Sequence, residues 1–241
     1  MLVRITNRCQ MQCPHCMVDA SPNGEHMTRP IFVATVEFIR RGGIPIILMS
    51  GGEPTEHPDL LGFVDYAKKE GLSVLLLSNG EWLHQWAPER RDELLGAVWR
   101  VQVTNDPAFY PRHVERYDHP KVYWETQLRQ VTPHGRAATN RLRTGRRAPE
   151  CFNLRSLTRE MGTFHAARLV MIARGSMCTP SINVDGSVRA GECPECFRIG
   201  GVSDDETTLE LNLRLMKCSK CGLVRNLVPE EKRAIGEAVV A

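Results

Sequence analysis

The chain lacks a long hydrophobic run, and its net charge is small. No segment reaches the ~18 consecutive apolar residues that indicate a transmembrane helix. A formal net charge of +3 is too mild to indicate a nucleic-acid partner. The first strand is predicted to begin at residue 2, which leaves no room for a secretory signal peptide. We therefore expect a cytoplasmic protein with neither a membrane nor a nucleic acid as partner.

Internal repeats and low-complexity tracts are absent as well. A length of 241 residues then suits one large domain, or one domain with a small appendage. Cysteine, in contrast, is plentiful, with nine residues. Without an export signal, this number indicates a reducing compartment in which cysteines serve metals or catalysis rather than disulfides.

Strands and helices are predicted to alternate over the first 105 residues. The predicted strands are Leu2–Ile5, Ile46–Met49, Leu72–Leu77 and Trp99–Thr104, and the predicted helices begin after Thr28 or span Pro58–Lys69 and Pro88–Leu95. Such repeated units predict an α/β fold with a parallel sheet, whose site lies at the carboxyl ends of the strands. Lys121–Val131 is a predicted fifth strand, and no sixth unit is evident, so any barrel would be abbreviated.

Three cysteines follow the first predicted strand with the spacing C-x3-C-x2-C, namely Cys9, Cys13 and Cys16. Iron–sulfur clusters normally take four thiolates. Three thiolates on one loop can hold a [4Fe–4S] cluster and leave its fourth iron open, and an open position is typical of catalytic metal sites. Zinc or disulfides are the alternatives, but zinc sites usually have four protein ligands in C-x2-C pairs.

A second motif, Ser50-Gly51-Gly52-Glu53-Pro54, follows the second predicted strand. Alone it is also typical of a turn. Together the two motifs resemble the radical S-adenosylmethionine (SAM) superfamily. This resemblance implies a partial (β/α)6-type barrel, placed here in residues 1–174, with SAM bound to the open iron. It also implies reductive cleavage of SAM to a 5′-deoxyadenosyl radical that abstracts a substrate hydrogen, and a flavodoxin- or ferredoxin-type electron donor.

The resemblance further implies which residues contact SAM. His15 would lie beside the adenine, and the segment Gly51, Gly52, Glu53 and Pro54 would meet the methionine amino group. Ribose and carboxylate contacts are implied at strand ends and in a Gly-Arg-Ala segment, by Ser78, Asn79, Gln102, Thr104 and Arg136. The alternative for His15 is local packing. For the strand-end residues it is ordinary turn hydrogen bonds, and for Arg136 it is an exposed side chain. No catalytic side chain is assigned.

The composition changes after about residue 175. Asp185-Gly186 between Ile182 and Val188 predicts a hairpin. Five cysteines surround it, namely Cys178, Cys193, Cys196, Cys218 and Cys221. This arrangement resembles the twitch domain, a small relative of the SPASM domain, and implies an auxiliary [4Fe–4S] cluster in a domain over residues 175–241.

The fourth auxiliary ligand is open between two cysteines. Cys178, Cys218 and Cys221 are the first three, and similarity to twitch-bearing 2-deoxy-scyllo-inosamine dehydrogenases favours Cys196 over Cys193. The alternative is a zinc ribbon built from two C-x2-C pairs, which leaves Cys178 unexplained.

Three functional hypotheses follow. The first is a radical SAM oxidoreductase of the dehydrogenase type, which oxidises a compact small molecule by two electrons through the auxiliary cluster. The second is a maturase that forms a thioether or carbon–carbon crosslink in a ribosomal peptide. The third is a metal-binding interaction protein that does not cleave SAM, which both N-terminal motifs disfavour.

Overall fold

A computed structural model describes residues 1–16, 18–105, 110–124, 181–189, 198–205, 207–209 and 212, together with the backbone of 127–131 and 143–146. The strands are β1 (Leu2–Thr6), β2 (Ile46–Gly51), β3 (Ser73–Ser78), β4 (Arg100–Val103), β5 (Val122–Trp124), β6 (Gln127–Val131), β7 (Arg143–Arg146), β8 (Ser181–Ile182), β9 (Ser187–Arg189) and β10 (Arg198–Gly201). The helices are α1 (Arg29–Arg41), α2 (Leu60–Lys69), α3 (Trp82–Gln85) and α4 (Pro88–Ala97), and Pro54–Glu56 forms a 3₁₀ turn.

One mixed sheet organises the described residues, with the strand order β10-β9-β8-β1-β2-β3-β4-β5. Strands β1 to β5 are parallel, and helices connect β1 to β2, β2 to β3 and β3 to β4. The predicted α/β class is confirmed, because these parallel strands are joined by helices. The carboxyl ends of β1 to β4 meet at one edge, where the two N-terminal motifs lie.

The core lies between the sheet and its helices. Alternate strand residues such as Val3, Ile47 and Val101 are fully buried there. Phe32 of α1 stacks on Phe63 of α2, with ring centroids 4.0 Å apart. Burying such side chains contributes roughly 1.5–3 kcal/mol each, so the helices are fixed against the sheet and the strand ends are rigidly placed.

The prediction of one strand over Lys121–Val131 is wrong. Val122–Trp124 pairs with β4 in the main sheet, whereas Gln127–Val131 pairs antiparallel with Arg143–Arg146 in a second sheet of two strands. The sequence Gln-Leu-Arg-Gln-Val has three polar residues among five and no continuous apolar run. That pattern suits an antiparallel ladder better than a central parallel strand buried on both faces.

The predicted hairpin at Asp185-Gly186 is confirmed. Strands β8 and β9 are antiparallel, Gly186 has a φ of 76°, and the carboxylate of Asp185 accepts a hydrogen bond from the Ser187 amide. Strand β8 lies parallel to β1, so this late segment extends the sheet formed by the first strands. None of the described helices has the length and apolarity needed to span a bilayer.

Candidate functional site: a cysteine loop at the carboxyl edge of the sheet

The three N-terminal cysteines lie on the loop between β1 and α1, and all three are free thiols. Cys9 and Cys13 are buried with Met11 and Val114 in a small apolar cluster, against which Cys16 packs. The Cys9 amide donates to the Ser21 carbonyl at 2.9 Å, and the Cys16 amide donates to the Cys13 carbonyl at 3.2 Å. The structure therefore brings the three predicted metal ligands together.

Burial favours the protonated form of the Cys9 thiol. Among the described residues, no group of three His, Cys, Asp or Glu side chains is arranged to hold a metal ion. Burial raises the pKa of the Cys9 thiol to about 11, and the nearby charges of Glu53 and Cys16 act in the same direction. Cationic iron is what would favour the thiolate there.

The Gly-Gly-Glu motif is joined directly to the cysteine loop. The Gly52 amide donates to the Thr6 carbonyl, and the Glu53 amide donates to the Arg8 carbonyl, both at 2.8 Å. A Cβ atom on Gly51 would collide with the Thr6 carbonyl, and one on Gly52 with the Arg8 carbonyl. Gly51 also has a φ of 150°, which favours glycine. Both glycines therefore permit close approach to the backbone that leads into Cys9.

Glu53 ties β2 to β3 from a fully buried position. Its carboxylate accepts hydrogen bonds from the Thr55 amide (3.2 Å), the Thr55 hydroxyl (2.8 Å), the Ser78 hydroxyl (2.9 Å) and the Asn79 amide (2.8 Å). Burial raises the pKa of Glu53, and these four donated hydrogen bonds oppose that rise. Pro54, also buried, begins the 3₁₀ turn that presents Thr55.

The predicted strand-end residues of β3 and β4 meet at this edge. The Ser78 hydroxyl, besides donating to Glu53, accepts from the Gly80 amide and the Trp82 indole, each at 3.0 Å. The hydrogen-bonding capacity of the Ser78 hydroxyl is therefore used within the protein. The Asn79 side-chain oxygen accepts from the Glu81 amide, whereas its buried Nδ2 has no partner. The Thr104 amide donates to the Ser78 carbonyl.

His15 and Gln102 occupy different surroundings. His15 is buried and meets the ring of Tyr110 edge-on, with centroids 4.8 Å apart. Gln102 accepts a hydrogen bond from the Tyr123 hydroxyl at 3.1 Å. Its neighbours Val101 and Val103 lie in the core, so Gln102 belongs to the sheet face that the described helices do not cover.

Three residues that sequence reasoning missed form a polar cluster above β3. The buried carboxylate of Glu81 accepts from Nε of Arg112 at 2.8 Å and from Nε2 of Gln10 at 2.5 Å. Arg112 also donates to the Gln10 carbonyl at 3.2 Å. Arg112 lies in an irregular segment, so no periodicity indicated that it would reach the cysteine loop.

The remaining predicted site residues lie outside the described residues. These are Arg136 and the five later cysteines, Cys178, Cys193, Cys196, Cys218 and Cys221. Their roles stay predictions.

A partial parallel barrel with a three-cysteine loop at its carboxyl edge defines a class of iron–sulfur enzymes. The radical SAM superfamily profile matches residues 3–129, which is more than half of the chain. The chain belongs to the radical SAM superfamily, and it is an enzyme of that superfamily.

Two solved structures of BtrN show the same fold. BtrN in complex with AdoMet and 2-DOIA is 15% identical with a TM-score of 0.52, over 93% of this chain and 90% of that one. An open conformation of BtrN gives the same identity and TM-score. SuiB from Streptococcus suis bound to S-adenosylmethionine is 13% identical with a TM-score of 0.44, over 93% of this chain and 71% of that one. No curated protein sequence matches the chain.

The family implies SAM and a [4Fe–4S] cluster, and the residues present fit both. Three free thiols on one loop supply the donor set for a cluster with one open iron. Two buried polar atoms at the same edge lack partners, Nδ2 of Asn79 as a donor and Oε1 of Gln10 as an acceptor. Buried polar groups are rarely left unpaired, so this pair suits a ligand that, like SAM, carries both acceptors and donors.

Proposed function

We propose that this enzyme is a radical SAM oxidoreductase that removes two electrons from a compact small molecule. The observation that carries the proposal is the cysteine inventory. Three free thiols share one loop, and five further cysteines follow residue 175. Three thiolates suffice for the cluster that binds SAM, and the later cysteines exceed that need. A second cluster with complete protein ligation suits electron transfer.

The chain's own residues hold and orient the reactants. Cys9, Cys13 and Cys16 would bind the first cluster, which when bound supplies the electron that cleaves SAM to methionine and the hydrogen-abstracting deoxyadenosyl radical. Asn79 would donate Nδ2–H to an oxygen of SAM. The other proposed cofactor contacts would come from His15, Gly51, Gly52 and Arg136. The same proposed set includes Pro54, Gln102 and Thr104.

Glu53 and Ser78 have a different part in this proposal. Because both side chains are hydrogen-bonded to protein groups, they would hold the strand ends that present the backbone to SAM. The auxiliary [4Fe–4S] cluster would be held by Cys178, Cys218, Cys221 and Cys196. Cys193 is the other candidate for the fourth ligand, in place of Cys196. A flavodoxin- or ferredoxin-type donor and a cytoplasmic location belong to the same proposal.

The fold of BtrN supports the small-molecule assignment. It aligns over 93% of this chain, and its structure contains AdoMet with 2-DOIA. The second candidate is modification of a peptide, since auxiliary cysteines accord with either chemistry. The two candidates differ in the molecule that loses its hydrogen.

The first experiment counts metal in the anaerobically reconstituted protein. Iron, sulfide and zinc are measured together with EPR spectra for wild type and for a Cys9/Cys13/Cys16→Ala variant. The matched control is Cys151→Ala, which changes the ninth cysteine, assigned to neither cluster. We expect about eight irons per chain in wild type and in the control, and about four in the triple variant. Loss of all iron while zinc remains would show that the later cysteines form a zinc site, and would contradict the redox role.

The second experiment identifies the substrate class by isotope transfer. Deuterated polyhydroxylated amines and deuterated peptides are incubated separately with reduced enzyme and SAM, and deuterium in 5′-deoxyadenosine is measured by mass spectrometry. Transfer from the small molecules together with a ketone product supports the oxidation. Transfer from a peptide alone, with a crosslinked product, would replace the proposal with the second candidate.

A further inference from the structure

The cysteine loop is tied to β3 by a polar cluster that is held together by its own hydrogen bonds. Its members are Gln10, Glu81 and Arg112. Gln10 stands between Cys9 and Cys13, so a contact at Gln10 acts on the backbone that carries both thiols. Glu81 follows β3 and is 6% exposed.

The hydrogen bonds converge on Gln10 from two sides. Its side-chain amide donates to Oε2 of Glu81 at 2.5 Å, and its carbonyl accepts from Nη2 of Arg112 at 3.2 Å. Glu81 and Arg112 are themselves paired, with Nε of Arg112 2.8 Å from Oε1 and Nη2 3.2 Å from Oε2. The Arg112 side chain is 51% exposed, whereas that of Glu81 is 6% exposed.

The loop needs such support because its backbone is strained. Gln12 and Asp19 have φ values of 50° and 53°, in the left-handed region that side chains other than glycine adopt at a cost. Backbone hydrogen bonds from Asn7 and Cys9 to Glu25 and Ser21 fix the entry to the loop. The Gln10 hydrogen bonds fix the following part of the loop, which lies between Cys9 and Cys13.

We propose that Glu81, with Arg112, is a positioning pair that holds the cysteine loop in its cluster-binding geometry and sets the reduction potential of the cluster. The inference rests on the proposed function, because it needs an N-terminal cluster. Groups behind metal ligands commonly orient those ligands, and their loss costs 10–100-fold in metal affinity. Net charge and hydrogen bonding near an iron–sulfur cluster also set its potential.

The two charges of the pair predict shifts of opposite sign. A negative charge disfavours adding an electron to the cluster, so Glu81→Gln raises the reduction potential. Arg112→Gln leaves that negative charge uncompensated, so it lowers the potential. Its effect is the smaller one, because a half-exposed charge is partly screened by solvent and salt. The double variant returns towards the wild-type value. A general loosening of the loop would not give opposite signs.

Gln10→Leu separates geometry from charge. It removes the side-chain hydrogen bond to Glu81 and changes no charge, so we expect little shift in potential. We expect loss of iron to a chelator to be about ten-fold faster than in wild type, and the same increase for Glu81→Gln. Gln10→Leu also keeps the inference testable if Glu81→Gln does not fold.

The test uses the reconstituted full chain under anaerobic conditions. Potentials come from EPR-monitored redox titration without SAM, and iron release to a chelator is followed by absorbance. Glu70→Gln is the matched control, because Glu70 forms an exposed ion pair with Arg40 on the helical layer. It should leave both quantities unchanged. Shifts of the same sign in Glu81→Gln and Arg112→Gln, or wild-type values in both, would overturn the inference while the proposed function stands. A wild type without an N-terminal cluster would contradict the proposed function itself.

Discussion

At the scale of one residue, Glu53 belongs to the predicted cofactor-binding motif and also connects separate parts of the fold by hydrogen bonds. Its backbone amide reaches the Arg8 carbonyl beside Cys9, while its carboxylate reaches Ser78 and Asn79 at the end of β3. One residue thus relates the cysteine loop to two strand ends. The sequence pattern identified the motif, but the direction of the Glu53 side chain depends on β3, which the pattern could not place.

Replacing Glu53 with glutamine should destabilise the protein by about 1–3 kcal/mol. The new NH2 group would face donors in place of one oxygen that now accepts a hydrogen bond. The measurement is the free energy of unfolding from denaturant titration under anaerobic conditions. Glu56→Gln is the control, because Glu56 forms only a half-exposed ion pair with Arg8 and should cost less than about 1 kcal/mol. Equal effects of the two substitutions would contradict the structural role of Glu53.

The start of α2 shows at the scale of one element how a histidine can fix a helix. His57 is buried, its Nε2–H donates to the Met27 carbonyl at 3.0 Å, and its Nδ1 accepts from the Asp59 amide at 3.1 Å. Only the neutral ring can make both contacts. Burial lowers the pKa of His57, and the charge of neighbouring His26 lowers it further, while the Met27 carbonyl and Asp59 oppose this.

Stability should therefore fall as the pH drops below about 6.5. The folded protein binds fewer protons at His57 than the unfolded chain does, so acid favours unfolding, and the loss continues until the folded-state pKa is passed. We expect His57→Gln to flatten the decline in the free energy of unfolding between about pH 7.5 and 5.5. His113→Gln, at an exposed position, should keep the wild-type slope. An unchanged slope in His57→Gln would refute the assignment.

The sequence predicted the elements whose local signals agree with their packing. Strands β1 to β4 lie within two residues of their predicted bounds, because short apolar runs and flanking glycines mark them. Thr28 precedes α1 as predicted, although its side chain makes no capping hydrogen bond. Helix α2 begins at Leu60 rather than Pro58, after the His57 contact. The Glu81–Arg112 pair was beyond prediction, because only the tertiary fold brings these residues together.

Arg4 joins distant parts of the whole molecule. It is 2% exposed on β1, and its Nη1 donates to Ser181 Oγ at 3.0 Å and to Asn183 Oδ1 at 2.7 Å. Since these partners lie on and just after β8, the contact fixes the late hairpin to the first strand. The boundary between residues 174 and 175 stays a prediction, and the sheet runs across it through the pairing of β1 with β8.

Arg4→Met should weaken this junction. Methionine keeps the aliphatic stem but removes the hydrogen bonds that Arg4 donates to Ser181 and Asn183, at a cost of about 1–3 kcal/mol. Hydrogen exchange should accelerate at the amides of β8 and β9, and much less at those of β3. Arg100→Met, at an exposed position on β4, is the control and should leave both regions protected. Uniform acceleration over all strands, or none, would contradict the junction.

The position of β8 also constrains how the chain acquires its fold during synthesis. Strands β1 to β4 can pair once about the first hundred residues have left the ribosome, but one side of β1 then remains an open edge, with unpaired amides and carbonyls. That edge closes when residues 181–182 emerge and align with Leu2 and Val3. The first strand therefore pairs on this side with a strand about 180 residues later in the chain, and until then its open edge can pair with neighbouring chains.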